Sequence, residues 1–262
     1  MSLRRYPSCI RYLQDTGVLK AIFLDLDETL CDTRKATDLA KAQLARTVRA
    51  QFAVDGVLFA DRYETGFYRR WSDTQRARYL PIIKQRGEDA FRVQLMIDLL
   101  AELGSGEVSQ ATAQELQHQF DRDRLAAFDF FPGIEAFLAE ARQLFTTVVI
   151  TNGPVFSQIP KIEAVNLTAH VDHIIIGGQE PEEKPARSIF EKALKLADCE
   201  AHEAIHVGDS LAADIAGAHG SCITSVWVRH QQPLDAELGI TPHHTVMHPS
   251  EIPALIRELH QD

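Results

Sequence analysis

The chain has 262 residues, of which 45% are hydrophobic and 24% are charged, and its formal charge is −10. The composition is ordinary for a globular protein with a sizeable core, and the acidic balance disfavours nucleic acid polymers and anionic membranes as partners. No apolar run is long enough to span a bilayer, and no signal-peptide core follows the N-terminus. The four cysteines contain no CxxC pair and are expected to be reduced thiols. A cytoplasmic location is therefore expected.

The first predicted element is a strand that ends in acids. Residues 18–24 form a mainly apolar run, which is typical of a buried strand in a parallel sheet. Asp25 ends this run, and Asp27 lies on the same side because strand side chains alternate. Open α/β sheets bind ligands at such strand ends, and a hard cation such as Mg²⁺ suits two carboxylates. The alternative is a turn with two solvated acids, which the preceding apolar run disfavours.

A long helical stretch follows the first strand. Residues 34–128 are rich in Ala, Leu, Gln, Arg and Glu, which favour helices. Turn-forming residues interrupt the stretch near Gly56, Pro81, Gly87 and Gly104. The pattern predicts four or five helices packed as a small bundle.

Strands and helices alternate from Phe131 to the end of the chain. Strands are predicted at residues 146–151, 173–177, 204–208 and 223–228, with a short one near 245–247. This alternation predicts an α/β fold, in which right-handed crossovers build a parallel sheet with helices on both faces. Residues 1–33 and 129–262 would form this core, and the all-helical segment 34–128 would be inserted into it.

Polar residues lie at or just beyond the later strand ends. Thr151 and Asn152 close the second strand, Lys184 follows the third, and Asp209 follows the fourth, with Asp214 a helical step further on. The carboxyl ends of parallel strands share one sheet edge, so these side chains are expected to converge with the first two acids. Carboxylates for a cation, a hydroxyl and an ammonium make a workable site for phosphoryl transfer.

The same residue types suggest how such a reaction would run. An ionised Asp can attack phosphorus, and a second Asp two residues on can protonate the leaving oxygen and later activate water. Thr151 can donate a hydrogen bond to a phosphate oxygen, and Lys184 can neutralise phosphate charge. Backbone N–H groups around Leu26, Asp27 and Asn152 are further candidate donors.

Four segments together resemble the motifs of the haloacid dehalogenase superfamily. In chain order they are Asp25-Leu-Asp-Glu-Thr29, Thr151-Asn152, Lys184-Pro185 and Gly208-Asp209-Ser-Leu-Ala-Ala-Asp214. The resemblance implies a Rossmann-like core, and the helical insert is similar to the all-helical cap of that family. The second half, with Lys161-Ile-Glu163 and Glu182-Glu-Lys-Pro-Ala186, is similar to the branch of N-acylneuraminate 9-phosphatases and nucleoside monophosphate phosphatases.

This resemblance also implies a role for each position. Asp25 would be the nucleophile and Asp27 the general acid and base. Thr151 and Lys184 would bind the phosphoryl group and steady the nucleophile. Mg²⁺ would be held by Asp25, the backbone carbonyl of Asp27 and Asp209, and Asp214 would support it directly or through water. Dehalogenases of the superfamily lack the second acid, so Asp27 favours phosphate ester chemistry.

The predicted function is therefore that of a Mg²⁺-dependent phosphatase. The expected substrate is a small phosphorylated metabolite, a sugar phosphate or a nucleoside monophosphate, and the expected assembly is a monomer or homodimer. A phosphomutase would use the same residues and hand the phosphoryl group to a second hydroxyl. A signalling module that accepts a phosphoryl group on Asp is another alternative, but it needs neither Asp27 nor the helical insert. An inactive scaffold is disfavoured by the intact set of acids.

Overall fold

The computed structural model describes residues 18–232 and 239–261, which form two compact units. The first unit holds the described residues up to Thr33 and from Phe128 onward, and the second is Arg34–Ala127. The predicted α/β fold is confirmed by the sheet of the first unit. None of the described helices combines the length and hydropathy needed to cross a bilayer.

The described part of the first unit contains a six-stranded parallel sheet with the strand order β3-β2-β1-β4-β5-β6. The strands are β1 (Ala21–Leu24), β2 (Thr146–Thr151), β3 (His173–Ile176), β4 (Ala204–Gly208), β5 (Thr224–Val228) and β6 (His244–Val246). All four residues of β1 are fully buried, so both faces of the sheet are covered here. The strand order reverses at β1, which is where open α/β sheets form a binding crevice.

The second unit is all-helical. Its helices are α1 (Thr33–Phe52, whose first residue belongs to the first unit), α2 (Gly56–Phe67), α3 (Asp73–Arg86), α4 (Glu88–Glu102) and α5 (Gln110–Ala126). The interruption predicted near Pro81 is wrong, because α3 continues through this residue. Side chains cap several of them: Asp55 accepts hydrogen bonds from the first turn of α2, and Ser72 forms a capping box with Gln75. Phe59, Tyr63 and Phe120 are buried in one apolar cluster of this unit. That the unit acts as a cap stays a prediction.

Five further helices lie among the described residues of the first unit. They are α6 (Ile134–Ala141), α7 (Val155–Ala164), α8 (Arg187–Leu196), α9 (Ala216–Gly220) and α10 (Ile252–Gln261). A wider π-helical turn, Leu211–Ile215, follows β4 and precedes α9. This turn carries Asp214, whose contacts are described below.

The cysteines differ in one respect from the sequence-based expectation. Cys31 and Cys199 carry free thiols, but Cys222 is disulfide-bonded, so the expectation of reduced thiols is wrong at this position. The spacing of cysteines along a chain does not show which sulfur atoms the fold brings within bonding distance. Cys31 is fully buried, and burial raises the pKa of its thiol, which is consistent with a packing residue.

Candidate active site

The centre of the candidate site is an ammonium buried between two carboxylates. Asp25 directly follows β1 and is 6% exposed, and Lys184 is 5% exposed. The Nζ of Lys184 donates to Oδ1 of Asp25 at 2.6 Å, to Oδ1 of Asp214 at 2.7 Å and to the carbonyl of Ile150 at 2.6 Å. These three acceptors use all three protons of the ammonium group. Burial opposes this charge, but Asp214 and Asp25 outweigh burial and raise the pKa of Lys184.

Asp214 is held by protein donors on both oxygens. Its Oδ1 accepts from Lys184 and lies 3.1 Å from Nε2 of His206, while the backbone N–H of Ser210 donates to its Oδ2 at 3.0 Å. Burial opposes its ionisation, but Lys184 and His206 outweigh burial and hold the pKa of Asp214 below its usual value. A Cβ atom on Gly208 would lie 2.3 Å from Cγ of Asp214, so a side chain there would displace the carboxylate.

Asp209 adds a third acid beside this pair. Oxygens of Asp25, Asp209 and Asp214 lie within 4.8 Å of one another. The backbone carbonyl of Asp209 accepts a hydrogen bond of 2.8 Å from Nε1 of the buried Trp227, which fixes the chain at this point. Burial, followed by repulsion from Asp25 and Asp214, raises the pKa of Asp209 to about 8.

The charges of this cluster suit a divalent cation. Burial raises the pKa of Asp25 to about 7, and Asp214 adds to this effect although Lys184 opposes it. The cluster thus contains three carboxylates, and Lys184 pairs with two of them, Asp25 and Asp214. A hard cation with oxygen ligands, such as Mg²⁺, would relieve the repulsion and favour the ionised acids. Asp25 and Asp209 fit as ligands, and Asp214 fits as a support because its oxygens already accept bonds from the protein.

Thr151 and Asn152 lie at the carboxyl end of β2, as the sequence predicts. Thr151 is 1% exposed, and its hydroxyl lies 3.4 Å from the carbonyl of Asn152. The side chain of Asn152 binds the backbone of Lys184 twice, donating to its carbonyl at 2.8 Å and accepting from its N–H at 2.9 Å. Asn152 therefore positions Lys184. Binding of phosphate by the backbone N–H groups of Leu26, Asp27 and Asn152 stays a prediction.

Asp27 lies in a set of contacts that the sequence analysis missed. The Nζ of Lys161 donates to Oδ1 and Oδ2 of Asp27 at 2.8 and 2.7 Å. The hydroxyl of Thr33 donates to Oδ1 at 2.5 Å, and Nε2 of Gln158 lies 3.5 Å from Oδ2. Gln158 and Lys161 are three residues apart on α7, so they share one helix face. The sequence shows only their spacing, and their burial, which marks them as more than surface residues, is known only from the structure.

Comparison with known proteins identifies the family. The haloacid dehalogenase-like hydrolase family matches residues 19–221, so the chain belongs to that family. The chain is 24% identical over 244 residues to human N-acylneuraminate-9-phosphatase, covering 92% of this chain and 95% of that protein. It is 28% identical over 215 residues to a glyceraldehyde 3-phosphate phosphatase of Pyrococcus abyssi, covering 81% of this chain and 82% of that protein.

A solved structure agrees in fold. The magnesium-bound HAD-hydrolase YfnB of Bacillus subtilis superposes with a TM-score of 0.64 at 19% identity, covering 92% of this chain and 99% of that one. The family resemblance seen in the four motifs is thereby confirmed. The expectation of a hydrolytic enzyme of the phosphatase type is confirmed by the family and by the names of the two relatives.

Proposed function

We propose that this enzyme is a Mg²⁺-dependent phosphatase that hydrolyses a small phosphorylated metabolite through an aspartyl-phosphate intermediate. The observation that carries the proposal is the buried cluster of Asp25, Lys184 and Asp214, with Asp209 beside it. Asp25 can attack only as the ionised carboxylate, which burial disfavours and the ion pair with Lys184 favours. The family membership supports the same chemistry.

In the first step, an oxygen of ionised Asp25 attacks phosphorus, and the bond between phosphorus and the leaving oxygen breaks. Asp27 gives its proton to that oxygen, so the product leaves as a neutral alcohol. Lys184 and the Thr151 hydroxyl bind the phosphoryl oxygens. Asp25, Asp209 and the carbonyl of Asp27 would hold Mg²⁺, with Asp214 in support, and the bound ion would offset negative charge on the transferring group.

In the second step, Asp27 acts in the opposite direction. Its carboxylate accepts a proton from water as the water oxygen attacks the phosphorus of the aspartyl-phosphate. The bond between phosphorus and the Asp25 oxygen breaks, which releases inorganic phosphate and restores the Asp25 carboxylate. Asp27 is again protonated and ready for the next substrate, so protons balance over the cycle.

Sugar phosphates are the favoured substrate class, because both relatives are named for phosphorylated carbohydrates. The test is phosphate release from glyceraldehyde 3-phosphate, ribose 5-phosphate, N-acetylneuraminate 9-phosphate and 5′-AMP, each with Mg²⁺ and with EDTA. We expect Mg²⁺-dependent release that is abolished by Asp25→Asn. Asp89→Asn, a change of the same kind at an exposed acid of α4, is the control. Equal release by Asp25→Asn would overturn the nucleophile assignment.

A further inference from the structure

We propose that Lys161 is a positioning residue that holds the Asp27 carboxylate for protonation of the leaving group. The inference rests on the proposed function, because it takes Asp27 as the acid of the first step. Lys161 lies on α7, outside the four motifs, and is separated from Asp27 by 134 positions in the chain. Its basis is the geometry of one ion pair.

The ion pair between Lys161 and Asp27 is bidentate, and its two side chains differ in solvent exposure. The ammonium donates to both carboxylate oxygens, at 2.8 and 2.7 Å. The side chain of Lys161 is only 6% exposed, whereas that of Asp27 is 30% exposed. The side chain of Asp27 is thus partly accessible, whereas the ammonium that holds it is buried. The bidentate pair is formed with ionised Asp27, the form that accepts a proton from water in the second step. In the protonated form, one oxygen carries the proton for the leaving group and the other still accepts from Lys161.

A buried ammonium is costly unless it is paired, so its placement needs a reason. Among the residues that the structure describes, Asp27 is the carboxylate paired with Lys161. The ammonium also lies 5.9 Å from the ring centre of Phe128. Burial and the nearby ring restrict the position of the Lys161 ammonium. The ammonium in turn restricts the orientation of the Asp27 carboxylate.

Two neutral donors also orient Asp27. Thr33 donates to Oδ1, and the amide of Gln158 approaches Oδ2. The same Gln158 nitrogen donates to the carbonyl of Asn152 at 2.9 Å, which fixes the amide because both neighbours are acceptors. Asn152 binds the backbone of Lys184. One helix face therefore ties the general acid to the loop that carries the phosphate-binding lysine.

The two buried lysines divide the acids of the site between them. Lys184 contacts Asp25 and Asp214, and Lys161 contacts Asp27. Removing Lys161 thus leaves the ion pair of the nucleophile in place. The expected defect is in delivery of the proton, with attack by Asp25 intact.

Leaving-group dependence isolates that defect. The ratio kcat/KM covers the steps up to formation of the aspartyl-phosphate. A sugar alkoxide needs a proton to leave, whereas 4-nitrophenolate leaves without one. We expect Lys161→Met to lower kcat/KM about 100-fold on the fastest sugar phosphate of the panel, and to change it little on 4-nitrophenyl phosphate. Lys161→Gln, which retains a donor and fits the buried site without a charge, should show the same selective loss, smaller in size.

Lys41→Met is the matched control, because Lys41 is a partly buried lysine paired with Asp61 and Glu64 in the helical unit. Lys41→Met should leave the ratio of kcat/KM on the sugar phosphate to kcat/KM on 4-nitrophenyl phosphate unchanged. Asp27→Asn should show the selective loss, and adding Lys161→Met to it should cause no further selective loss. Retention of sugar-phosphate activity by Asp27→Asn would refute the acid role in the proposed function. A different outcome would refute the positioning role alone. In that outcome, Asp27→Asn shows the selective loss, but both Lys161 variants lose activity equally on the two substrates or lose none.

Discussion

Lys184→Met is the most informative change for the stability of the site. Methionine keeps most of the length and the apolar stem of lysine but has no ammonium. The change removes three hydrogen bonds of 2.6 to 2.7 Å and leaves Asp25 and Asp214 without their shared partner. Both carboxylates lie in surroundings that are almost fully buried, so water cannot replace the lost donor.

The expected loss in the free energy of unfolding is about 3–5 kcal/mol, the cost of removing one partner from a buried ion pair. At about 2–4 °C per kcal/mol for a chain of this size, the melting temperature should fall by about 6–20 °C. Lys192→Met is a contrast within the same unit, because Lys192 is 46% exposed and its ion pair with Glu180 lies at the surface. That variant should lose about 1 kcal/mol or less.

Urea unfolding with EDTA present measures the effect on the core. The chain has two tryptophans, Trp71 in the helical unit and Trp227 in the core. All variants are therefore compared in a Trp71→Phe background, where fluorescence reports on Trp227. If Lys184→Met loses no more free energy of unfolding than Lys192→Met, the buried ammonium contributes little to stability. That result would refute the charge balance described for the site.

Three further results are expected. Gly208→Ala should destabilise the core by about 1–3 kcal/mol, because its Cβ would meet Cγ of Asp214 at 2.3 Å, and urea unfolding would detect this. Burial lowers the pKa of His219 and of His243 below the usual histidine value of 6.5. The stability from keeping them neutral should therefore be fully present above pH 6.5 and decline as the pH falls below it. His243→Asn, which keeps an acceptor for the Ser225 N–H, should flatten that decline in melting curves from pH 7 to 5; an unchanged slope would contradict the assignment. Asp209→Asn should weaken the thermal stabilisation given by Mg²⁺, and an undiminished shift would exclude Asp209 as a ligand.

The strand ends explain why much of the site could be predicted from sequence. Apolar runs followed by acids locate β1 and β4, and the rule that parallel strands end at one edge brings Asp25, Asp209 and Lys184 together. The order of the motifs then suggests the chemistry. None of these steps needs side-chain geometry.

Other features depend on tertiary contacts that the sequence pattern does not contain. Lys161 lies within an ordinary helical segment, and only the packing of α7 beside the first strand end brings its ammonium to Asp27. The side chain of Asn152 turns to the Lys184 backbone because the loop after β3 passes beside it. The disulfide at Cys222 likewise reflects proximity in the fold, which spacing alone does not reveal.

The central claim is that Asp25 carries the phosphoryl group during turnover. Rapid acid quenching of the enzyme with its fastest substrate and Mg²⁺, followed by mass spectrometry, tests it directly. We predict a phosphorylated peptide that contains Asp25, sensitive to hydroxylamine and absent from Asp25→Asn. Steady phosphate release with no phosphorylated peptide at any quench time, or with the label on another residue, would contradict the account.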